Sequence, residues 1–199
     1  QLTNLGKPFN DHCIHIVDPK TRQVLPESCI GEVWIKGPSV AKGYWNNAEL
    51  NSKIFDQDLK NQGTGFFRTG DLGFQENGDL YITGRMKDLI IIRGNNIFPE
   101  DIEWLVIEHI KAIRHGQVVA ITDTNNHGDE ELVVLIQQSP ELNEQSHTLL
   151  QDIYQHVLNQ LSIKITALYL IQSPALATTT SGKLNRHYCQ EQFQQGHYH

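Results

Sequence analysis

The feature that most constrains the fold is a change of sequence pattern near residues 85–88. Before it, short alternating runs separated by turns predict several strands and one short helix, over 47–55. After it, apolar runs alternate with amphipathic helical patterns in the order β-α-β-β-α-β-α. We therefore predict two domains. Residues 1–86 form a small β-rich domain, and residues 87–199 form a compact α+β domain whose mostly antiparallel sheet has its helices on one face.

Local signals place the individual elements. The Asn77-Gly78 dipeptide between two alternating runs is typical of a tight hairpin. Pro99, followed by acidic residues, predicts the N-terminus of a helix, where the helix dipole is positive. Helices are predicted over 99–110, 146–161 and from about residue 182, and strands over 12–17, 31–36, 65–74, 79–83, 89–92, 117–122, 131–137 and 165–171.

Composition excludes several classes of protein. Sixteen basic and 23 acidic residues give a net charge of −7, which disfavours non-specific binding to nucleic acid. The chain has no 18-residue apolar run, so no transmembrane segment is expected. Three distant cysteines argue against a disulfide framework and favour a reducing compartment, the cytoplasm. The chain begins with Gln1 and its single methionine is Met86, so we expect a piece of a longer protein.

Cys13 lies between His12 and His15, a grouping that has a zinc interpretation and a structural one. The alternation over 12–17 favours an ordinary strand, and no metal site is predicted.

The first segment with chemical potential is Arg68-Thr69-Gly70-Asp71. Gly70 permits a sharp turn, after which Asp71 projects from the end of a strand. Its carboxylate can accept hydrogen bonds from two adjacent hydroxyls, as on a ribose. The alternative is an aspartate that bonds only its own turn.

The second segment is the junction itself. Lys87 and Asp88 are adjacent charges between the two patterns and are suited to a pivot, and Gly94 begins a tight loop beyond them. The alternative is a linker, a strand and a turn without chemistry.

The third segment is Thr178-Thr179-Thr180-Ser181-Gly182-Lys183-Leu184. Gly-Lys at a predicted helix start suggests a phosphate loop, but the P-loop pattern fails at Ala177 and Leu184. What remains is a hydroxyl-rich loop with one lysine, Lys183. This lysine either contacts an anionic oxygen of a ligand or is an ordinary solvated surface residue.

Together, in this order, the three segments resemble the C-terminal third of acyl-adenylate-forming enzymes. These are the superfamily of acyl-CoA synthetases, luciferases and peptide-synthetase adenylation domains. The resemblance runs from about Leu5 to Tyr188. Residues 31–46, 67–74 and 87–94 are most similar to fatty acyl-AMP ligases. One departure is Ala177, where the family usually has proline, and we expect it to loosen the lysine loop.

The resemblance implies a role for each site residue. Asp71 binds the ribose of ATP or AMP, and Arg85 supports the ribose or phosphate. Lys183 is the catalytic lysine, Lys87 is the hinge of a mobile C-terminal domain, and the loop at Gly94 serves the acceptor step. Residues 1–86 then form the end of a large N-terminal adenylation domain.

The reaction implied is activation of a fatty acid with ATP, followed by transfer to the phosphopantetheine thiol of an acyl carrier protein. Mg²⁺ is expected with ATP, although its ligands are not found in these residues. The phosphate loop and acyl pocket belong upstream, so we expect this chain alone to be inactive. Two alternatives stay open: an acyl-CoA synthetase that uses coenzyme A, and a non-catalytic module that docks a carrier protein.

Overall fold

A computed structural model of the chain describes residues 2–92, 94–124, 130–139, 142, 146–172 and 174–198. The chain separates into two compact units, Gln1–Lys87 and Asp88–His199. Strands and helices are mixed, and all but one of the strand pairings are antiparallel. The predicted α+β class with mostly antiparallel sheets is therefore confirmed.

The first unit is one antiparallel sheet with a single short helix. Its sheet order is β1-β2-β4-β3, and β5 also pairs with β4. The elements are β1 (Cys13–Val17), β2 (Gly31–Lys36), α1 (Ala48–Ile54), β3 (Gln57–Leu59), β4 (Gly63–Glu76) and β5 (Asp79–Arg85). The long β4 thus lies at the centre, and every other strand except β1 pairs with it directly.

Turn and capping residues explain where these elements begin and end. Asn77 and Gly78 adopt φ values of 54° and 80° between paired Glu76 and Asp79, so the predicted hairpin forms. The side chain of Asn47 caps α1 by accepting from the backbone N–H of Leu50. Apolar side chains cover both faces of the sheet in two clusters. The buried residues are Val17, Trp34, Leu59 and Phe66 in the first cluster, and Ile16, Val33 and Leu80 in the second.

The second unit has a three-stranded sheet of order β10-β9-β8 and a separate two-stranded hairpin. Its elements are β6 (Ile90–Ile92), β7 (Asn95–Ile97), α2 (Pro99–His109), β8 (Val118–Thr124), β9 (Glu130–Gln137), α3 (Ser146–Leu161), β10 (Ala167–Ile171) and α4 (Arg186–Gln194). Strands β9 and β8 are antiparallel, and β10 is parallel to β9. Helix α2 begins with Pro99 at its first turn, as predicted.

The expectation that the helices share one face of this sheet is wrong. Alternate residues of β8 and β9 pack against α2 and α3 on one side, through Ile102, Val106, Ile153 and Val157. The other side packs against α4 through Cys189. Because both faces are buried, β8 and β9 carry continuous apolar runs in place of strict alternation.

Helix α4 also begins later than expected. It starts at Arg186, with Asn185 as its N-cap, and not near Gly182 as the sequence predicts. The three-residue strands β3 and β7 were not predicted. None of the described helices combines the length and the apolar character needed to cross a membrane.

Candidate functional site

The Arg68–Asp71 segment forms a bulge in β4. Glu32 pairs with Leu72 and Trp34 with Arg68, so Val33 alone faces the three residues 69–71. The Thr69 hydroxyl donates to the Val33 carbonyl oxygen at 2.8 Å and accepts from the Asp71 backbone N–H at 3.0 Å.

Gly70 makes this bulge conformationally accessible. Its φ is +73°, and an added Cβ would meet no atom within 4 Å. The position therefore requires glycine for its backbone conformation and not for lack of space. The bulge ends at Asp71, which lies within β4 and not at the end of a strand, where the sequence had placed it.

A buried ion pair holds the start of the bulge. The Glu32 carboxylate accepts from Arg68 Nε at 3.0 Å, from Arg68 Nη2 at 2.8 Å and from Trp34 Nε1 at 2.9 Å. The side chains of Arg68 and Glu32 are only 19% and 1% exposed. A bidentate, charge-assisted pair in this environment fixes the geometry of the turn.

Glu32 was missed from the sequence, although a signal was present. It stands two positions from Trp34 in β2, and residues two apart share a face of a strand. A glutamate beside an inward-facing tryptophan predicts a buried carboxylate, which requires a cationic partner.

Asp71 and Arg85 are brought together by the β4–β5 pairing, in which they are direct partners. Arg85 Nε donates to Asp71 Oδ1 at 2.9 Å, and their side chains are 57% and 31% exposed. A pair this exposed contributes little to stability. Asp71 therefore keeps an accessible carboxylate that can accept hydrogen bonds from a ligand, beside a fixed positive charge.

The junction residues lie in one turn of 3₁₀ helix, Met86–Asp88, at which the two units meet in the sequence. Lys87 is exposed. Gly94 is an exposed turn residue between β6 and β7 in the second unit. Arg93, part of the same motif, lies outside the described residues.

Lys183 lies in a tight hairpin, residues 178–184, which we call the lysine hairpin. Thr178 and Leu184 form an antiparallel bridge. The Gly182 N–H donates to the Thr179 carbonyl at 2.9 Å, and the Thr179 N–H donates to the Lys183 carbonyl at 2.6 Å. Gly182 has φ +78°, the left-handed position that such three-residue loops use.

The expectation that Lys183 stands at a helix start is corrected by this geometry. The lysine precedes Arg186, the first residue of α4, by three positions. Its side chain is exposed, and it makes no ion pair with any residue the structure describes. A ligand would thus meet the free ammonium charge of Lys183 and not a helix N-terminus.

The Ala177 carbonyl, just before the hairpin, accepts from the Asn185 N–H at 2.8 Å. This bond closes the segment at its base, at the position where the family usually has proline.

Metal ligands are not grouped in the described part of the chain, where no three His, Cys, Asp or Glu side chains could hold an ion together. Cys13 Sγ and His15 Nε2 lie 3.2 Å apart within β1, so this motif belongs to the predicted strand. No described residue is assigned to Mg²⁺.

The ion pair under the bulge gives a direct prediction. Arg68→Leu should lower the free energy of unfolding by about 3–5 kcal/mol, because it leaves the Glu32 carboxylate buried and unpaired. Lys53→Ala removes the exposed pair with Glu49 and should cost only about 0.3–0.5 kcal/mol. Chemical denaturation followed by circular dichroism measures both. Equal, small losses would contradict the assignment of a structural role to the buried pair.

The family model described as AMP-binding enzyme matches residues 1–45. The medium-chain-fatty-acid–[acyl-carrier-protein] ligase JamA of Moorena producens is 35% identical over 98% of this chain, which spans 33% of JamA. The putative fatty-acid–CoA ligase FadD21 of Mycobacterium tuberculosis is 35% identical over 96% of this chain, which spans 34% of FadD21.

Solved structures agree in fold. A structure from a study of fatty acyl-adenylate ligases of E. coli and L. pneumophila aligns with a TM-score of 0.79 and 30% identity, over 98% of this chain and 33% of that one. The chain thus spans about a third of the length of these relatives. Over almost its whole length the chain is thus similar to the C-terminal portion of adenylate-forming enzymes, fatty acyl-AMP ligases among them, and its first 45 residues match the AMP-binding enzyme model.

Proposed function

We propose that the full-length protein is a cytoplasmic fatty acyl-AMP ligase. A fatty acid carboxylate attacks the α-phosphate of ATP, which gives acyl-adenylate and releases pyrophosphate. The thiolate of an acyl carrier protein's phosphopantetheine arm then attacks the acyl carbon, which gives a thioester and releases AMP. The observation that carries the proposal is the exposed Lys183 on a closed hairpin, which forms no ion pair with any described residue, in a chain similar over almost its whole length to such ligases.

Asp71 is proposed to bind the ribose. Its carboxylate projects from the bulge with 31% of the side chain exposed, and one oxygen already accepts from Arg85. The remaining acceptor capacity suits the two adjacent hydroxyls of a ribose. Arg85 orients the carboxylate, and its own charge supports the nucleotide phosphate.

Lys183 is proposed to act on adenylation. Negative charge on the α-phosphate and carboxylate oxygens increases as the acid attacks, and a fixed ammonium stabilises it more in the transition state than in the ground state. The hydrogen-bonded hairpin holds the backbone of Lys183. The lysine is therefore largely preorganised for the reaction, and little reorganisation is needed to reach the transition state.

The two half-reactions are proposed to use different arrangements of the two units. Residues 1–86 are the end of the N-terminal adenylation domain, and residues 87–199 are the mobile C-terminal domain. Rotation about Lys87 withdraws Lys183 after adenylation and presents the loop at Gly94 to the acceptor. Hinges of this kind absorb the change in a few backbone dihedral angles.

An acyl-CoA synthetase is the second candidate, because FadD21 is named as a putative fatty-acid–CoA ligase. The same residues would perform its first half-reaction, so only the acceptor distinguishes the two. A non-catalytic docking module would have no use for Asp71, Arg85 and Lys183 together.

The lysine gives the sharpest test of the first half-reaction. In the full-length enzyme, Lys183→Ala should slow fatty-acid-dependent pyrophosphate release by roughly 10²–10³, the effect of removing one preorganised donor. Transfer from preformed acyl-AMP to the carrier should be nearly unchanged. Lys111→Ala, which removes another exposed lysine of the second unit, serves as the matched control and should affect neither step. An unchanged rate of pyrophosphate release would leave Lys183 an ordinary surface lysine.

The acceptor decides between the two candidate functions. The intact enzyme, given a fatty acid and ATP, should load the phosphopantetheine of an acyl carrier protein and should use free coenzyme A poorly. Mass spectrometry of the carrier and chromatography of acyl-CoA measure the two products separately. Efficient acyl-CoA formation at saturating coenzyme A would favour the synthetase instead.

A further inference from the structure

Arg186, the first residue of α4, is surrounded by acidic side chains of its own unit. Its Nη2 lies 2.8 Å from Glu103 Oε1, and its Nη1 lies 3.5 Å from Glu100 Oε1 and 3.7 Å from Asp88 Oδ2. The Arg186 side chain is only 14% exposed. One guanidinium therefore joins the start of α4 to the first two turns of α2 and to the residue that follows Lys87.

Glu103 is itself fixed by a second contact. The same oxygen accepts from the backbone N–H of Ala120 in β8 at 3.0 Å. Burial raises the pKa of Glu103 above its ordinary value, against the opposing effect of Arg186. Burial lowers the pKa of Arg186, but the carboxylates of Glu103, Glu100 and Asp88 outweigh it and raise this pKa overall. The arginine therefore stays charged.

The cluster is not arranged for maximal stability. Arg186 Nε and Glu100 Oε2 are buried without a hydrogen-bond partner in the described structure. Such groups pay a desolvation cost without full compensation. A well-packed apolar residue would avoid that cost, so the position of the guanidinium calls for an explanation other than stability.

The lysine hairpin is built directly on the helix end that Arg186 fixes. Asn185 separates the hairpin from Arg186, caps α4 by accepting from the Tyr188 N–H, and donates its own N–H to Ala177. Displacement of the α4 start would therefore displace the hairpin with it.

We propose that Arg186 is a positioning residue that holds Lys183 in place for adenylation, through the lysine hairpin. This inference rests on the proposed function. Arg186 lies mostly buried among Asp88, Glu100 and Glu103, and it acts on the reacting atoms only through Lys183. Since Asp88 belongs to the same cluster, a rotation at Lys87 carries Lys183 as part of one rigid body.

A double-mutant cycle in the full-length enzyme tests this directly. The four proteins are wild type, Arg186→Lys, Lys183→Ala and the double variant. Arg186→Lys keeps the buried charge but loses the planar fork. It should lower kcat for pyrophosphate release about 10-fold with little change in KM, because a shift of about 1 Å in a catalytic group costs up to ~10². In the Lys183→Ala background the same change should have no further effect. Acyl transfer from preformed acyl-AMP should be unchanged by Arg186→Lys.

A stability control separates positioning from general damage. Val157→Ala truncates a fully buried side chain of α3 in the same unit, away from the hairpin. It should lower the melting temperature and leave the kcat for pyrophosphate release within about twofold.

Three results would overturn the inference. The first is that Arg186→Lys lowers kcat for pyrophosphate release by the same factor in the wild-type and the Lys183→Ala backgrounds. The second is that Arg186→Lys leaves this kcat unchanged in the wild-type background. The third is that Val157→Ala lowers this kcat as much as Arg186→Lys does. These leave the proposed function intact. If the Lys183→Ala variant released pyrophosphate as fast as wild type, the role of Lys183 and this inference would both fail. If the wild-type enzyme showed no fatty-acid-dependent pyrophosphate release, the proposed function itself would be refuted.

Discussion

A buried arginine–carboxylate pair underlies the candidate site residues in each unit. In the first unit Arg68 is held by Glu32, and Asp71 follows three residues later. In the second unit Arg186 is held by Glu103, and Lys183 precedes it by three residues. Desolvation makes such pairs expensive to form and costly to break, so they hold a segment in one conformation.

The residues with proposed chemical roles are, by contrast, at least partly accessible. Asp71 lies at the bulge of β4 and Lys183 in the lysine hairpin, and each of these segments is closed by hydrogen bonds of its own. Glycines at positive φ, Gly70 and Gly182, give these turns their shape. The result is a charged group that is accessible to a ligand on a backbone segment held by its own hydrogen bonds.

Much of this could be predicted from the sequence, because the signals are local. The Asn77-Gly78 hairpin, the start of α2 at Pro99 and helix α3 all follow from turn chemistry, capping and periodicity. Burial on both faces of the second sheet was missed. The continuous apolar runs in β8 and β9 were the available sign of it.

The candidate residues were found from their motifs, but their supports were not. Glu32 lies 36 positions from Arg68, and Glu103 lies 83 positions from Arg186. No local pattern pairs residues so distant, because it is strand pairing and helix packing that bring them together. The start of α4 was misplaced for a related reason. Gly182 and Lys183 suit a helix start, but the bridge between Thr178 and Leu184 makes this segment a hairpin.

The proposed function requires that Lys183 serves adenylation and that rotation at Lys87 then withdraws it before the carrier is loaded. The most direct measurement compares Lys87→Pro with Lys87→Ala in the full-length enzyme. Proline fixes φ at this position, whereas alanine only shortens the side chain. The account predicts that both variants release pyrophosphate at the wild-type rate and that the proline variant alone loses carrier loading, by at least ~10-fold. Normal carrier loading by Lys87→Pro, or equal loss of both steps, would contradict it.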